Sequence, residues 1–483
     1  MNLKNISNFK EKKKFLEIIS KDLNRDFLIH GKKKIKSRKL LSYISQINRF
    51  LKKRGLENKI IITQIENRLH ALIFCLAAIF SNTTICPLDP KLPINRVNKI
   101  KKSINATKVI KRIDLIENSL INYDLFNLNN HNFLISFSSG TSGNPKGAIH
   151  DSNNVLGISF SYSKLVNFNK QTRILHCLPV YFAAGIINTF FSSLCGSSTI
   201  IIANSFNKKN IFNIWDSISK YKVNLVYLVP SIYSMITNFS PSKALNIIKK
   251  NKIEFYSTSN NLYPNIRKTF FKKFKKKIKS CYGITEMGGP LTNEIKSSLE
   301  KDSVGKLIHG CKIKIKKING KKNLFFKSIY KCRSLIIDNK IKNIKTDKQG
   351  YYNSQDIGYI ENKNIVITGR EKDILKKRGE FIHLRDIENV IIKCEFVAEV
   401  AAVSLEDDLP DEKLHVYLCM KRKKILNENI EYLLTTIEKN LFKTEKPDKI
   451  IFIRKMPKTP SGKIIKHNLL STLNENKIKE IIL

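Results

Sequence analysis

The chain has no uninterrupted apolar run long enough to cross a bilayer, which takes about 20 residues. The nearest candidate, Leu69 to Phe80 ("LHALIFCLAAIF"), is broken by His70 and reads as a buried helix. None of the nine cysteines has a C-x-x-C partner, which argues against a zinc site and against a disulfide framework. The first residues, "MNLKNISNFKEKKK", lack the apolar core of a secretory signal. These absences together point to a reducing cytoplasm. There is no internal repeat and no low-complexity linker. At 483 residues the chain is long enough for more than one domain, and its 42% hydrophobic content argues against disorder.

Acidic residues are also scarce, 40 Asp and Glu against 87 Lys and Arg, a formal net charge of +47. That excess invites a nucleic-acid reading. It is nearly all lysine, however, whereas arginine is the better bidentate reader of phosphates and bases. Lysine here accompanies heavy use of Ile and Asn, and all three have AT-rich codons, so drift in base composition accounts for much of the charge. The runs "EKKKF", "GKKKIK" and "FFKKFKKKIK" are accordingly expected to be solvated helix faces and loops. No nucleic-acid partner is expected, although the charge would still draw in anionic substrates.

Up to about Asn364, β-branched apolar runs alternate with amphipathic segments. "KIIIT", "ATKVI", "FLISFS", "STIIIA" and "VNLVYLV" read as buried strands, and Leu40 to Arg54 and Ile211 to Tyr221 as helices. This texture predicts an α/β fold with a largely parallel sheet. Beyond "VITGREKD" it changes to a compact α+β unit with a short helix in "LRDIENVIIKC", strands in "VAEVAAVSL", "KLHVYLCM" and "KIIFIRK", and a helix near Asn427 to Leu441. The boundary falls near Gly369, giving a large unit of residues 1–368 and a small one of 369–483.

The stretch "FSSGTSGNPKG", Phe137 to Gly147, follows the apolar run Phe133-Leu134-Ile135. Gly140 and Gly143 allow tight turns that aim backbone amides at an anion. Ser138, Ser139, Thr141 and Ser142 add hydroxyls, and Lys146 adds a mobile positive charge. It is not the common G-x-x-x-x-G-K-[ST] phosphate loop, because Pro145 precedes the lysine and Gly147 follows it. Alone, the stretch fits a polyphosphate site and a plain Ser/Gly surface loop equally well.

Five stretches in order lift that tie. "FSSGTSGNPKG" resembles the phosphate-binding signature of the adenylate-forming (AMP-binding) superfamily, which includes acyl-CoA synthetases, peptide-synthetase adenylation domains and luciferases. "CPLDP" (Cys86 to Pro90) and "CYGITE" (Cys281 to Glu286) resemble two further family motifs. So do "NSQDIGYIENKNIVITGREKDILKKRGEFIHLRDIE" (Asn353 to Glu388) and "PKTPSGKIIK" (Pro457 to Lys466). The resemblance implies a large multi-layer N-terminal α/β domain and a small mobile C-terminal α+β domain. It also implies ATP, Mg²⁺ and a small carboxylic acid, followed by CoA or the phosphopantetheine of an acyl carrier protein.

By that resemblance the loop from Ser138 to Gly147 holds the β- and γ-phosphates, and Tyr282 lies against adenine. Thr285 bonds the α-phosphate or the acyl carboxylate, and Glu286 coordinates Mg²⁺, a cation that takes carboxylate and phosphate oxygens. Asp356 accepts the ribose hydroxyls, with Arg370 as a second ribose contact. Lys372 is the hinge. Gly379 gives the pantetheine room, with Arg378 before it where a small residue is common. Lys463 supplies charge to the transition state of adenylation, while Lys458 and Lys466 are expected to be solvated. Two departures stand out: the family's Thr-Gly before Asp356 is Ser354-Gln355, and "STSNNLYP" replaces Ser-Gly-Gly-Ala-Pro-Leu. In "LPVYFAAG", Phe182 occupies the position where amino-acid-activating members carry an aspartate, which disfavours an α-amino acid. Ala183, Ala184, Gly288 and Gly289 would leave room for an apolar acid.

Overall fold

In a computed structural model, the structure describes residues 10–117, 119–138, 146–204, 211–259, 262–299, 302–318, 320–377, 380–405, 413–421, 425–459, 464–469 and 476–482. Two large sheets with helices packed on them make up most of the chain, and a four-stranded sheet serves its C-terminal part.

The first large sheet has a parallel core. Ile60–Thr63 pairs with Thr84–Pro87 on one side and Lys108–Ile110 on the other, and Thr84–Pro87 pairs in turn with Asn132–Ser138. An antiparallel hairpin then returns through Lys146–Asp151. The apolar runs Ile61-Ile62 and Phe133-Leu134-Ile135 are fully buried, as strands covered on both faces must be. The helix Arg68–Ile79 follows the first of these strands; Asn67 caps it by accepting from the His70 amide at 3.1 Å. This is the buried helix expected from "LHALIFCLAAIF".

In the second large sheet, five consecutive neighbours run parallel: Thr199–Ile202, Arg173–His176, Leu225–Leu228, Glu254–Ser257 and Ile278–Ile284. The expectation of a largely parallel sheet ends there. From Gly289–Asn293 through Ser303–Leu307, Asn364–Arg370, Tyr352–Glu361, Lys321–Ser328 and Cys311–Ile318 the pairing is antiparallel. Local turn chemistry explains part of it. Asn362 and Lys363, both left-handed (φ 49° and 63°), form the two-residue turn between Tyr352–Glu361 and Asn364–Arg370. Ile278–Ile284 therefore sits where the sheet changes direction, and it carries the first four residues of the "CYGITE" motif.

The C-terminal part is an α+β unit. Val397–Leu405, Lys413–Met420, Lys449–Ile453 and Lys477–Ile482 form its sheet, and Leu384–Ile391 and Asn427–Asn440 are helices. Its core gathers Leu375, Ile387, Val400, Leu418, Leu433 and Ile450. A separate cluster, on the antiparallel strands of the second large sheet, holds Met287, Leu291, Phe326 and Ile367.

In "GKKKIK" the lysines are exposed as expected, but the run enters a strand, Lys33–Lys36, rather than a helix face or loop, and Ile35 within it is buried. Another run departs further. In "EKKKF", Lys12 lies on the inward face of the helix Lys10–Ser20, three residues before the core residue Phe15, and is itself fully buried. Its Nζ donates to the carbonyl of Asn127 at 3.0 Å and meets Nδ1 of His131 at 3.1 Å. Burial lowers its pKa to about 7, with Asp151 opposing, and the same burial pushes His131 down to about 3.

Candidate active site

The serine- and glycine-rich stretch joins the two strands of a hairpin, whose last rungs are Phe137↔Gly147 and Ser138↔Lys146. A Cβ on Gly147 would lie 3.1 Å from the Phe137 ring, closer than ordinary contact. Ser139, Gly140, Thr141, Ser142 and Gly143 lie outside the described residues, as does the side chain of Ser138. Beyond the hairpin, Asp151 caps the helix Ser152–Val166 by accepting from the Asn154 amide at 2.8 Å, and it pairs with Arg333 at 3.0 Å.

Tyr282, Asp356 and Arg370 come together from three strands. The Tyr282 hydroxyl donates to Oδ2 of Asp356, and Arg370 Nε donates to Oδ1 at 2.9 Å. Asp356 is 3% exposed. Burial and the Asp356 charge raise the Tyr282 pKa well above the usual phenol value, and Asp356 raises that of Arg370. The Tyr282 ring packs on Phe326, with centroids 5.6 Å apart.

The turn before Asp356 is left-handed at Gln355, where the resembled motif has a glycine. Gln355 has φ 61°, and its side chain is exposed to solvent rather than crowding the site. Neighbouring side chains hold the turn. The Gln355 amide donates to Asn353 Oδ1 at 2.9 Å, the Asp356 amide to Ser354 Oγ at 3.0 Å, and Ser354 Oγ to the Leu324 carbonyl at 2.7 Å. Ser259 likewise adopts φ 74° where the resembled segment has a glycine.

After Ile284 the chain makes a 3₁₀ turn, Thr285–Met287, and reverses through Gly288 (φ 106°) and Gly289 (φ 125°). A Cβ on Gly288 would stand 2.3 Å from the Tyr330 carbonyl oxygen. Close backbone approach therefore requires that glycine. Burial, together with the nearby charge of Glu286, holds the Tyr352 phenol above its ordinary range. Among the described residues no cluster of three or more metal-ligating side chains occurs. A single carboxylate on this turn fits Mg²⁺, which takes few protein ligands beside phosphate and water.

A buried ion pair holds the two strands that meet at this turn. Arg267 Nη1 lies 2.8 Å from Glu294 Oε2, with both side chains at most 1% exposed. Arg267 also donates to Ser280 Oγ at 2.6 Å and to the Ile278 carbonyl at 3.0 Å. The segment "LPVYFAAG" leads into a stretch that packs on the strand Gly289–Asn293. The rings of Phe182 and Tyr181 are 4.8 Å apart, and Tyr181 donates to Asp89 of "CPLDP" at 2.9 Å. Past Ala183 a π-helical stretch, Ala184–Phe191, brings Ile187 within 3.5 Å of the Cβ direction of Gly289. Nothing in the sequence motifs pointed to Phe326, Tyr330, Tyr352 or Arg267. Their sole signal is spatial.

Lys372 lies in the short turn Glu371–Asp373, its side chain outside the described residues, as are Arg378, Gly379 and Lys463. Lys466 is not the solvated lysine expected. Its Nζ is 2.9 Å from Glu388 Oε1 and 3.4 Å from Asp373 Oδ1. Lys458 pairs with Glu399 at 2.7 Å.

The comparisons with known proteins follow the same order. The family described as AMP-binding enzyme matches residues 127–324, and the AMP-binding enzyme C-terminal domain matches 386–463. The luciferin 4-monooxygenase of Photuris pensylvanica is 23% identical over 93% of this chain and 92% of its own length. The acetyl-coenzyme A synthetase of Helicobacter pylori (strain G27) is 24% identical over 81% of this chain and 65% of its own. Among solved structures, McyG A-PCP complexed with phenylalanyl-adenylate superposes with a TM-score of 0.79 at 16% identity, covering 97% of this chain and 83% of that one. The chain belongs to the adenylate-forming family of AMP-binding enzymes.

Proposed function

We propose that the protein is an ATP-dependent carboxylic acid–CoA ligase that works through an acyl-adenylate. In the first half-reaction a carboxylate oxygen attacks the α-phosphorus of ATP, and the bond to the β-phosphate breaks so that pyrophosphate leaves with the electron pair. In the second, the sulfur of CoA attacks the acyl carbon, AMP departs, and the thiol proton passes to solvent. Charge spreads over phosphoryl oxygens in the first step, so positioning and positive charge carry most of the catalysis.

Ser138, Ser139, Gly140, Thr141, Ser142, Gly143 and Lys146 hold the terminal phosphates, and Lys463 adds charge at the α-phosphate. Tyr282 lies against adenine, Asp356 and Arg370 take the ribose, and Thr285 orients the reacting oxygens. Bound at Glu286, Mg²⁺ would neutralise phosphate charge. Lys372 is the hinge between a unit of residues 1–368 and one of 369–483, and Gly379 borders the pantetheine path. Phe182 and Ala183, with the Gly288 turn, border an apolar acid. Nine unpaired cysteines fit a reducing cytoplasm.

The observation that carries this reading is the joining of Tyr282, Asp356 and Arg370. Residues 74 and 14 positions from Asp356 meet on its one buried carboxylate. A second reading keeps the first half-reaction and passes the acyl group to a carrier protein's phosphopantetheine; the likeness to a carrier-linked adenylation structure favours it. Incubation of the purified protein with ATP, Mg²⁺ and a carboxylic-acid panel separates them. Pyrophosphate release and an acyl-CoA product support the ligase. Release with no transfer to CoA, but transfer to a phosphopantetheinylated carrier, supports the second reading.

A further inference from the structure

Lys466 ends the motif that carries Lys463, three residues beyond it. The chain on either side of residues 460–463 is tied at its base. Lys458 bridges Ile464, and the Ile465 amide donates to the Pro457 carbonyl at 2.8 Å. A 3₁₀ turn, Lys466–Asn468, follows. From it Lys466 extends to two carboxylates that the sequence places far away. Glu388 lies on the helix Leu384–Ile391, and Asp373 closes the turn that contains Lys372.

Glu388 is 4% exposed and saturated. Besides Lys466 it accepts from the Ala402 amide at 2.9 Å and from the Tyr263 hydroxyl of the large unit at 2.9 Å. Burial disfavours the lysine charge, but Glu388 and Asp373 more than offset it and raise its pKa. If the small unit turns at Lys372, the Tyr263 bond crosses the moving boundary and must break. The bonds from Lys466 to Asp373 and Glu388 lie on one side of it and can persist. An uncompensated Glu388 would be costly, so Lys466 keeps its partner in either arrangement.

We propose that Lys466 is a positioning residue, a strut that fixes the base of the Lys463 segment to the first residue after the hinge and to the helix carrying Glu388. It rests on the reading of Lys463 and Lys372 given above. Lys466 acts only through Lys463, so its loss falls on the half-reaction that uses Lys463.

The test compares Lys466→Met and Lys466→Arg with the parent enzyme in three measurements. Lys466→Met is expected to lower kcat for pyrophosphate release about tenfold or more, with the KM for ATP within about twofold. It is expected to leave thioester formation from a prepared acyl-adenylate within about twofold, and to speed hydrogen exchange of the Ile465, Asn468 and Leu469 amides about tenfold. Lys466→Arg should restore most of kcat, because it keeps a cation for both carboxylates. Equal loss of both half-reactions, an unchanged kcat, or no rescue by arginine would overturn the proposal. If the parent enzyme releases no pyrophosphate with any acid, the functional reading has failed. The exchange measurement then decides on the strut alone, and unaltered exchange in Lys466→Met overturns it.

Discussion

Nε of Arg370 lies 2.9 Å from Oδ1 of Asp356, across one rung of the antiparallel ladder that joins their strands. With Tyr282 on the other oxygen, the carboxylate assigned to the ribose already has both oxygens engaged within the protein. A ribose assigned to Asp356 would meet one donor already on each oxygen, and the neutral phenol is the partner it would compete with most directly.

Tyr282→Phe tests that competition. Removing the hydroxyl leaves one buried carboxylate oxygen unpaired, at a cost of about 1–3 kcal/mol, and frees it for a ribose hydroxyl. The variant is expected to have a lower Tm and a KM for ATP about three- to tenfold lower. A raised KM would mean that the phenol serves the bound nucleotide directly.

Gln355→Gly probes the altered turn. A left-handed residue with a Cβ costs about 1–2 kcal/mol, and glycine's freedom in the unfolded chain takes back about 0.5–1. The net expectation is a gain of about 0.5–1 kcal/mol, read in thermal unfolding as a Tm rise of about 1–3 °C. A fall in Tm would show that Gln355 makes a contact the turn needs.

Lys12→Met addresses stability against pH. The folded-state pKa of Lys12 is about 7, below the ordinary lysine value of 10.5, so between these values the unfolded chain binds more protons than the folded one. The penalty for burying Lys12 is complete below about pH 7 and fades as pH rises to about 10.5. The Tm of Lys12→Met relative to the parent is therefore expected to be higher at pH 7 than at pH 10. A pH-independent difference would contradict the burial.

Much of the fold was legible because buried strands announce themselves: "KIIIT", "FLISFS" and "VNLVYLV" are all in sheets, and the two helices and three strands expected beyond "VITGREKD" are present. The antiparallel half of the second sheet was missed. Its strands, such as "CKIKIKKI" and "YNSQDIGYIE", are half-exposed and interrupted by charge, and the two-residue turn Asn362-Lys363 lacks the glycine that marks hairpins. Motif residues Tyr282, Asp356 and Arg370 could be named from the resemblance of the stretches that carry them. Arg267 and Lys466 could not, because one basic residue in so basic a chain says nothing until its partners, Glu294, Glu388 and Asp373, are placed beside it. Lys12 misled for the same reason: charge density suggested solvent, and helical phase put the residue inside.

The central claim is that this chain activates a carboxylic acid on ATP, and pyrophosphate release measures it most directly. With ATP, Mg²⁺ and a broad panel of organic acids, the enzyme is expected to release pyrophosphate with at least one of them. Lys463→Ala should abolish that release while largely sparing thioester synthesis from preformed acyl-adenylate. No pyrophosphate from any acid would contradict the account outright.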